Sequence, residues 1–213
     1  MQKRSRLDQR FAIRNTKGFN LLELMVTVTL LGVLTMLAVP SFESISNINK
    51  LSGTSNEFLT TLQVSRSESI RRGVRVVVCQ SNNPNAGASA NCSTASGNWA
   101  GWIAFVDDGA AVAANAKNGD RDSGETLLRV GSASAQVLIV PSDAVSGASQ
   151  KIIFRPDGLA KTASNGLLAA QVRVCVPTAN PVENARDVAI RFGSRTLVTK
   201  TNAAGACAAP ANS

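Results

Sequence analysis

A single carboxylate stands where a carboxylate is costly. Glu23 lies near the start of an apolar run over residues 19–39, and placing a charge in such a segment costs about 2.5–3.5 kcal/mol at the centre of a bilayer and less toward its edge. It therefore calls for a partner of opposite charge. The four cysteines, Cys79, Cys92, Cys175 and Cys207, have no C-x-x-C spacing, which argues against a dithiol redox motif or a cysteine-rich zinc site. Asp107, Asp108, Asp120, Asp122 and Glu125 are hard oxygen ligands of the kind calcium takes. They lack the full EF-hand spacing, Arg121 sits among them, and Asp, Asn and Gly are also the usual residues of tight turns. A plain turn is the favoured reading, and no metal is expected. The chain has no histidine, so nucleophile activation by Ser/His or Cys/His pairs and His-based zinc sites are excluded. With no catalytic set and no cofactor motif, the sequence reads as that of a non-enzymatic protein.

The elements that position these residues follow from patterning. The 213 residues suffice for one domain with a hydrophobic core plus an anchor. The formal charge of +8 is concentrated at the start: Lys3, Arg4, Arg6, Arg10, Arg14 and Lys17 outnumber Asp8. A basic tip before an apolar run is read as a membrane orientation signal, with the basic side kept in the cytoplasm. Residues 19–39 are long enough to span about 30 Å of hydrocarbon at about 1.5 Å per residue. They are too long for the apolar core of an ordinary cleaved signal peptide. Pro40 and, upstream, Gly32 are expected to kink or loosen the helix. Beyond them Ile48, Leu51, Ser55, Phe58, Leu59 and Leu62 recur at spacings of three and four, one face of a helix continuing to about Arg72.

Gly73 is expected to end this helix, and Val74-Arg75-Val76-Val77-Val78-Cys79 reads as a strand. The polar, glycine-bearing residues 81–91 form a surface loop, and residues 99–108, with both tryptophans, read as a further strand. Gln171-Val172-Arg173-Val174-Cys175-Val176, Asp187-Val188-Ala189-Ile190-Arg191 and Arg195-Thr196-Leu197-Val198-Thr199-Lys200 alternate as half-buried strands do. The fold class expected is α+β: a long helix, half in a membrane and half laid on an antiparallel β-sheet. Four cysteines on the outer side of a bacterial membrane point to disulfides. Three connectivities are open. Cys79–Cys92 with Cys175–Cys207 is favoured, because each pair joins a strand to the far end of the loop or strand that follows.

Lys17-Gly18-Phe19-Asn20-Leu21-Leu22-Glu23-Leu24-Met25-Val26 resembles the cleavage signature of type IV prepilins. The resemblance implies a leader over residues 1–18, cutting between Gly18 and Phe19 by a prepilin peptidase, and N-methylation of Phe19. It also implies pairing of Glu23 with the N-terminal amine of a neighbouring subunit. The implied organisation is a transmembrane helix over 19–40, an amphipathic continuation over 41–73 and a periplasmic β domain over 74–213. Trp99-Ala100-Gly101-Trp102-Ile103-Ala104-Phe105-Val106-Asp107-Asp108, followed by Gly119-Asp120-Arg121-Asp122-Ser123-Gly124-Glu125-Thr126-Leu127-Leu128-Arg129, is similar to the FimT/FimU and GspH group of minor pilins and pseudopilins. So are Ser65-Arg66-Ser67-Glu68-Ser69-Ile70-Arg71-Arg72-Gly73 and Ile152-Ile153-Phe154-Arg155-Pro156-Asp157-Gly158.

Membership of that group implies a minor pilin that helps initiate or cap a type IV pilus, in support of twitching motility, adhesion or DNA uptake. Its implied partners are other major and minor pilins, met through the N-terminal helix, an inner-membrane assembly platform and inner-membrane lipid. The chain would cross the inner membrane of a Gram-negative bacterium once and be built into a pilus at the cell surface. A pseudopilin of a type II secretion system is the alternative, and the cysteines favour the pilus branch. A further alternative is a DNA-binding competence pilin. Between Lys151 and Lys200 basic residues outnumber acidic ones, and Arg173, Arg191, Arg195 and Lys200 on a sheet face are candidates to neutralise the phosphates of double-stranded DNA. A solvated strand face is the plainer reading of the same residues.

Overall fold

The computed structural model describes residues 18–109, 112–162 and 165–213, with the side chains of residues 37–40 and 113 outside the description. Its contacts divide the chain into Met1–Ser41 and Phe42–Ser213. In the first unit the described residues are helical from Leu21, the start of α1 (Leu21–Arg72). Leucine and methionine lose little rotamer freedom in a helix, and the Asn20 side chain accepts the Leu22 N–H at 3.4 Å while the Asn20 carbonyl accepts that of Leu24. This half of α1 is apolar and long enough to cross a membrane. The helix passes through Gly32 and Pro40 as one element, so the loosening expected there does not interrupt it.

Among the described residues, the second unit contains the rest of α1 and nine strands: β1 (Arg75–Gln80), β2 (Gly101–Asp107), β3 (Leu127–Ser132), β4 (Leu138–Pro141), β5 (Lys151–Phe154), β6 (Ala160–Lys161), β7 (Ala170–Cys175), β8 (Ala185–Arg191) and β9 (Arg195–Thr201), with a short α2 (Asp143–Ser146) before β5. α1 ends where expected. Gly73 adopts φ +67°, a left-handed conformation that glycine takes at low cost, and its N–H closes on the Ser69 carbonyl.

The strands form two antiparallel sheets, ordered β3-β2-β1-β5-β6 and β4-β7-β8-β9, where the sequence suggested one. Residues 99–108 contribute to both: β2 starts only at Gly101, while Trp99 bridges Ile139 of the second sheet. The bend at Ala100 turns both indoles toward one core. There Phe58 of α1 meets Trp102 and Trp99 edge-on, ring centroids 5.2 and 5.9 Å apart. The indole N–H groups are satisfied, Trp102 donating to Thr61 Oγ1 at 3.0 Å and Trp99 to Gln150 Oε1 at 2.9 Å. Leu62, Val78, Ile152, Phe154, Val172, Val188 and Ile190 complete this core between helix and sheets.

In the first sheet β1 and β2 are covered on both faces. Val77 and Cys79 turn away from α1 and pack with Ile103, Phe105 and Ala90 in a second cluster under the long excursions that flank β2. That is why β1 reads as an unbroken valine run rather than an alternation. In the second sheet Val172 and Val188 face the core, and their neighbours Arg173 and Asp187 lie on the opposite face. Leu51, Ser55, Phe58 and Leu62 of the helical stripe are buried and Leu59 packs partly against the core, but Ile48 remains 37% exposed. The Pro156-Asp157-Gly158 turn docks on the last turns of α1. Gly158 is left-handed at φ +71°, and a side chain there would meet Ile70 Cδ1 at 2.6 Å.

Candidate assembly site

Within residues 21–36 the polar side chains separate into two kinds. Thr27, Thr29 and Thr35 donate their hydroxyls to the carbonyls of Leu24, Val26 and Gly32, each at 2.9 Å. This returns each hydroxyl to its own helix, as an apolar surrounding demands. Glu23 is the one ionisable residue of the stretch. It is exposed and forms no ion pair among the described residues. The residues beside it are exposed apolar groups: Leu21 and Leu22 are 74% and 69% exposed, Leu24 and Met25 55% and 60%. Phe19 is 75% exposed next to Gly18, so the candidate cleavage junction is uncovered. Residues 1–17 of the expected leader lie outside the described residues, as does the Pro40 side chain.

The cysteines join Cys79 to Cys92 and Cys175 to Cys207. The first bridge closes the loop after β1. Arg121 grips this loop from outside: its Nη1 donates to the carbonyls of Gly87, Ala88 and Ala90 at 3.3, 2.9 and 2.6 Å. The second bridge draws the C-terminal segment onto the second sheet. There Arg173 Nη1 donates to the Ala208 carbonyl, and the Ser213 hydroxyl to those of Ala170 and Ile190. Asn184, not singled out from sequence, ties the same segment by accepting the Ala203 N–H at 2.8 Å while donating to the Val176 carbonyl.

Asp107 and Glu125 are engaged by the backbone of their own loop. Asp107 accepts the N–H groups of Lys117 and Gly119 at 2.6 and 3.0 Å and pairs with Arg75 at 3.1 Å. Glu125 accepts those of Gly109 and Asp122, each at 2.9 Å. Burial pushes both carboxyls above the ordinary range, against the pull of Arg75 and these donors. Asp120 reaches Lys151 at 2.8 Å, and Asp122 accepts a hydrogen bond from the Asn118 side-chain amide at 2.7 Å. The arrangement is that of a turn held by side-chain acceptors.

The four basic candidates do not form one face. Arg173 is clamped by Asp187 through Nε and Nη2 at 2.7 and 2.9 Å, with little of either side chain exposed; the Asp187 hydrogen bond also raises its pKa. Arg191 and Arg195 are exposed and directly opposed across the β8–β9 hairpin. Lys200, an odd number of residues further on, leaves the other face of β9 and lies 3.8 Å from Glu183. Asp187 was the missing piece. Its position opposite Arg173 depends on strand register, which one sequence does not reveal.

A long apolar N-terminal helix whose second half packs on antiparallel sheets is the α+β architecture of pilin-like proteins, a class of structural subunits. A family model described as type II transport protein GspH matches residues 54–194, well over half of the chain, and the chain belongs to that family. It is thus a minor pilin or GspH-like pseudopilin. Among solved structures, two crystal forms of the type IV minor pilin FimU of Pseudomonas aeruginosa (strain PAO1) are similar to it. One has TM-score 0.46 and 16% identity, covering 73% of this chain and 92% of that one; the other has 0.43 and 14%, covering 70% and 92%. No curated protein matches.

Proposed function

We propose that the chain is a minor pilin, cut between Gly18 and Phe19 by a prepilin peptidase, methylated on Phe19 and inserted by an inner-membrane platform into a type IV pilus whose assembly it helps initiate or cap. Its N-terminal helix anchors it in the inner membrane beforehand, with Phe42–Ser213 on the periplasmic side. The observation that carries this reading is Glu23. Three threonines of the apolar half bond back to their own helix, and the carboxylate beside them has no ion-pair partner among the described residues. Pairing with the amine of an adjacent, cleaved subunit removes that penalty and fixes the axial register between helices, the best-attested use of a buried charge pair.

Replacing Glu23 by Gln keeps size and removes charge. The variant should be processed and membrane-bound but about tenfold or more depleted from sheared filaments, the loss of at least one 1.4 kcal/mol step. Incorporation equal to the native chain contradicts the reading. The description of the matched family favours a second reading, the same subunit in a type II secretion pseudopilus. Deleting the gene distinguishes them: loss of surface pili and twitching supports the first, and loss of secreted enzymes with pili intact supports the second.

A further inference from the structure

β9 closes the second sheet on one side only. Arg195–Thr201 pairs with β8 along its length, and among the described residues no strand pairs with its other edge. A free edge presents unpaired N–H and C=O groups at alternate residues and is a template for another strand. What distinguishes this edge is a groove on each side of it. On the α1 side a cavity of about 470 Å³ is lined by Arg66, Ile70 and Thr196. On the opposite face one of about 340 Å³ is lined by Arg191, Phe192, Arg195 and Leu197. Successive side chains of an incoming strand point to opposite faces, so such a strand would place them alternately in the two grooves.

Each groove combines apolar and cationic groups. Ile70 is 55% and Phe192 82% exposed, and Arg191 and Arg195 have no ion pair among the described residues. Arg66 donates to the Ser194 carbonyl at 2.9 Å, holding helix and hairpin together around the edge. A second copy of β9 is a poor occupant. The strand Arg-Thr-Leu-Val-Thr-Lys-Thr carries two cations and no acid, so pairing it with itself gains no opposite-charge pair across the strands. We propose that the β9 edge receives an extended segment of a different pilin subunit, one that alternates apolar and acidic residues, as an added strand. The identity of the partner as a pilin rests on the filament reading above; the edge itself does not.

The test is backbone hydrogen exchange on the full chain in detergent micelles, with a short synthetic peptide alternating valine and glutamate as the probe. Amides of Arg195–Thr201 are expected to exchange about tenfold more slowly with the peptide present, as edge groups acquire partners. The double variant Arg191→Glu with Arg195→Glu, both at exposed positions, should lose this protection and regain it with a valine–lysine peptide. No slowing in β9, or equal slowing by both peptides on the native chain, overturns the proposal. So does slowing by a single-stranded oligonucleotide alone, which would mark a nucleic-acid surface, or slowing that grows with protein concentration without peptide, which would mark self-pairing. None of these readouts requires a filament, so their failure is distinct from retention of the leader or indifference to Glu23→Gln.

Discussion

Glu68 accepts three hydrogen bonds near the end of α1, from Arg71 Nε and Nη2 at 3.0 and 2.6 Å and from Arg72 Nε at 2.6 Å. These bonds lower its pKa from 4.5 to about 2. A carboxyl whose folded-state pKa is depressed contributes stability above its unfolded value and loses it as pH falls through the folded one. The last turn of α1 should therefore keep this contribution at neutral pH and lose it between about 4.5 and about 2. NMR titration of the Glu68 carboxyl checks this, and a midpoint near 4.5 would contradict the clamp. Arg173 offers a stronger test because it and Asp187 are both largely covered. Arg173→Ala leaves Asp187 with the Thr201 hydroxyl as its remaining side-chain donor and should cost about 2–3 kcal/mol in urea unfolding. A change within about 0.5 kcal/mol, typical of a surface site, would mean the arginine is free for other partners.

Among the elements, the disulfide-closed segments carry much of what covers the sheets. Cys79 and Cys92 enclose a separation of 13 residues, and Cys175 and Cys207 one of 32. Restriction of the unfolded chain then gives about 3 and about 4 kcal/mol respectively. Paired Cys→Ser variants should fall in that order in chemical denaturation, and a larger loss for the shorter loop would contradict it. The helix end at Gly73 and strands β1, β7, β8 and β9 were legible because each has a local cause: a left-handed glycine, a valine run, clean alternation. The division into two sheets was not. It depends on pairings between distant strands, β1 with β2 and β5 in one sheet and β4 with β7 in the other, with Trp99 bridging Ile139, 40 positions away, and nothing local separates Trp99 from Trp102. Strands β4 and β6 are short, four and two residues, and give too few repeats for a period to be read. At the candidate site Glu23 stood out because a charge breaks an apolar run. The fate of Arg173 did not, because it depends on cross-strand register.

At the scale of the whole molecule, the described side chains of residues 19–36 form a long, exposed apolar surface of the kind that lipid or another protein covers. On the proposed function two surroundings satisfy it, lipid before assembly and other helices of its kind afterwards, and cleavage between Gly18 and Phe19 would separate the two states. That cut would remove the basic tip and create the amine that we propose Glu23 of a neighbour meets. The most direct test of this account is the intact mass of the chain extracted from membranes of pilus-forming cells. The account predicts a species beginning at Phe19 and carrying one added methyl group. A chain that still holds residues 1–18 in cells that make normal filaments would contradict it.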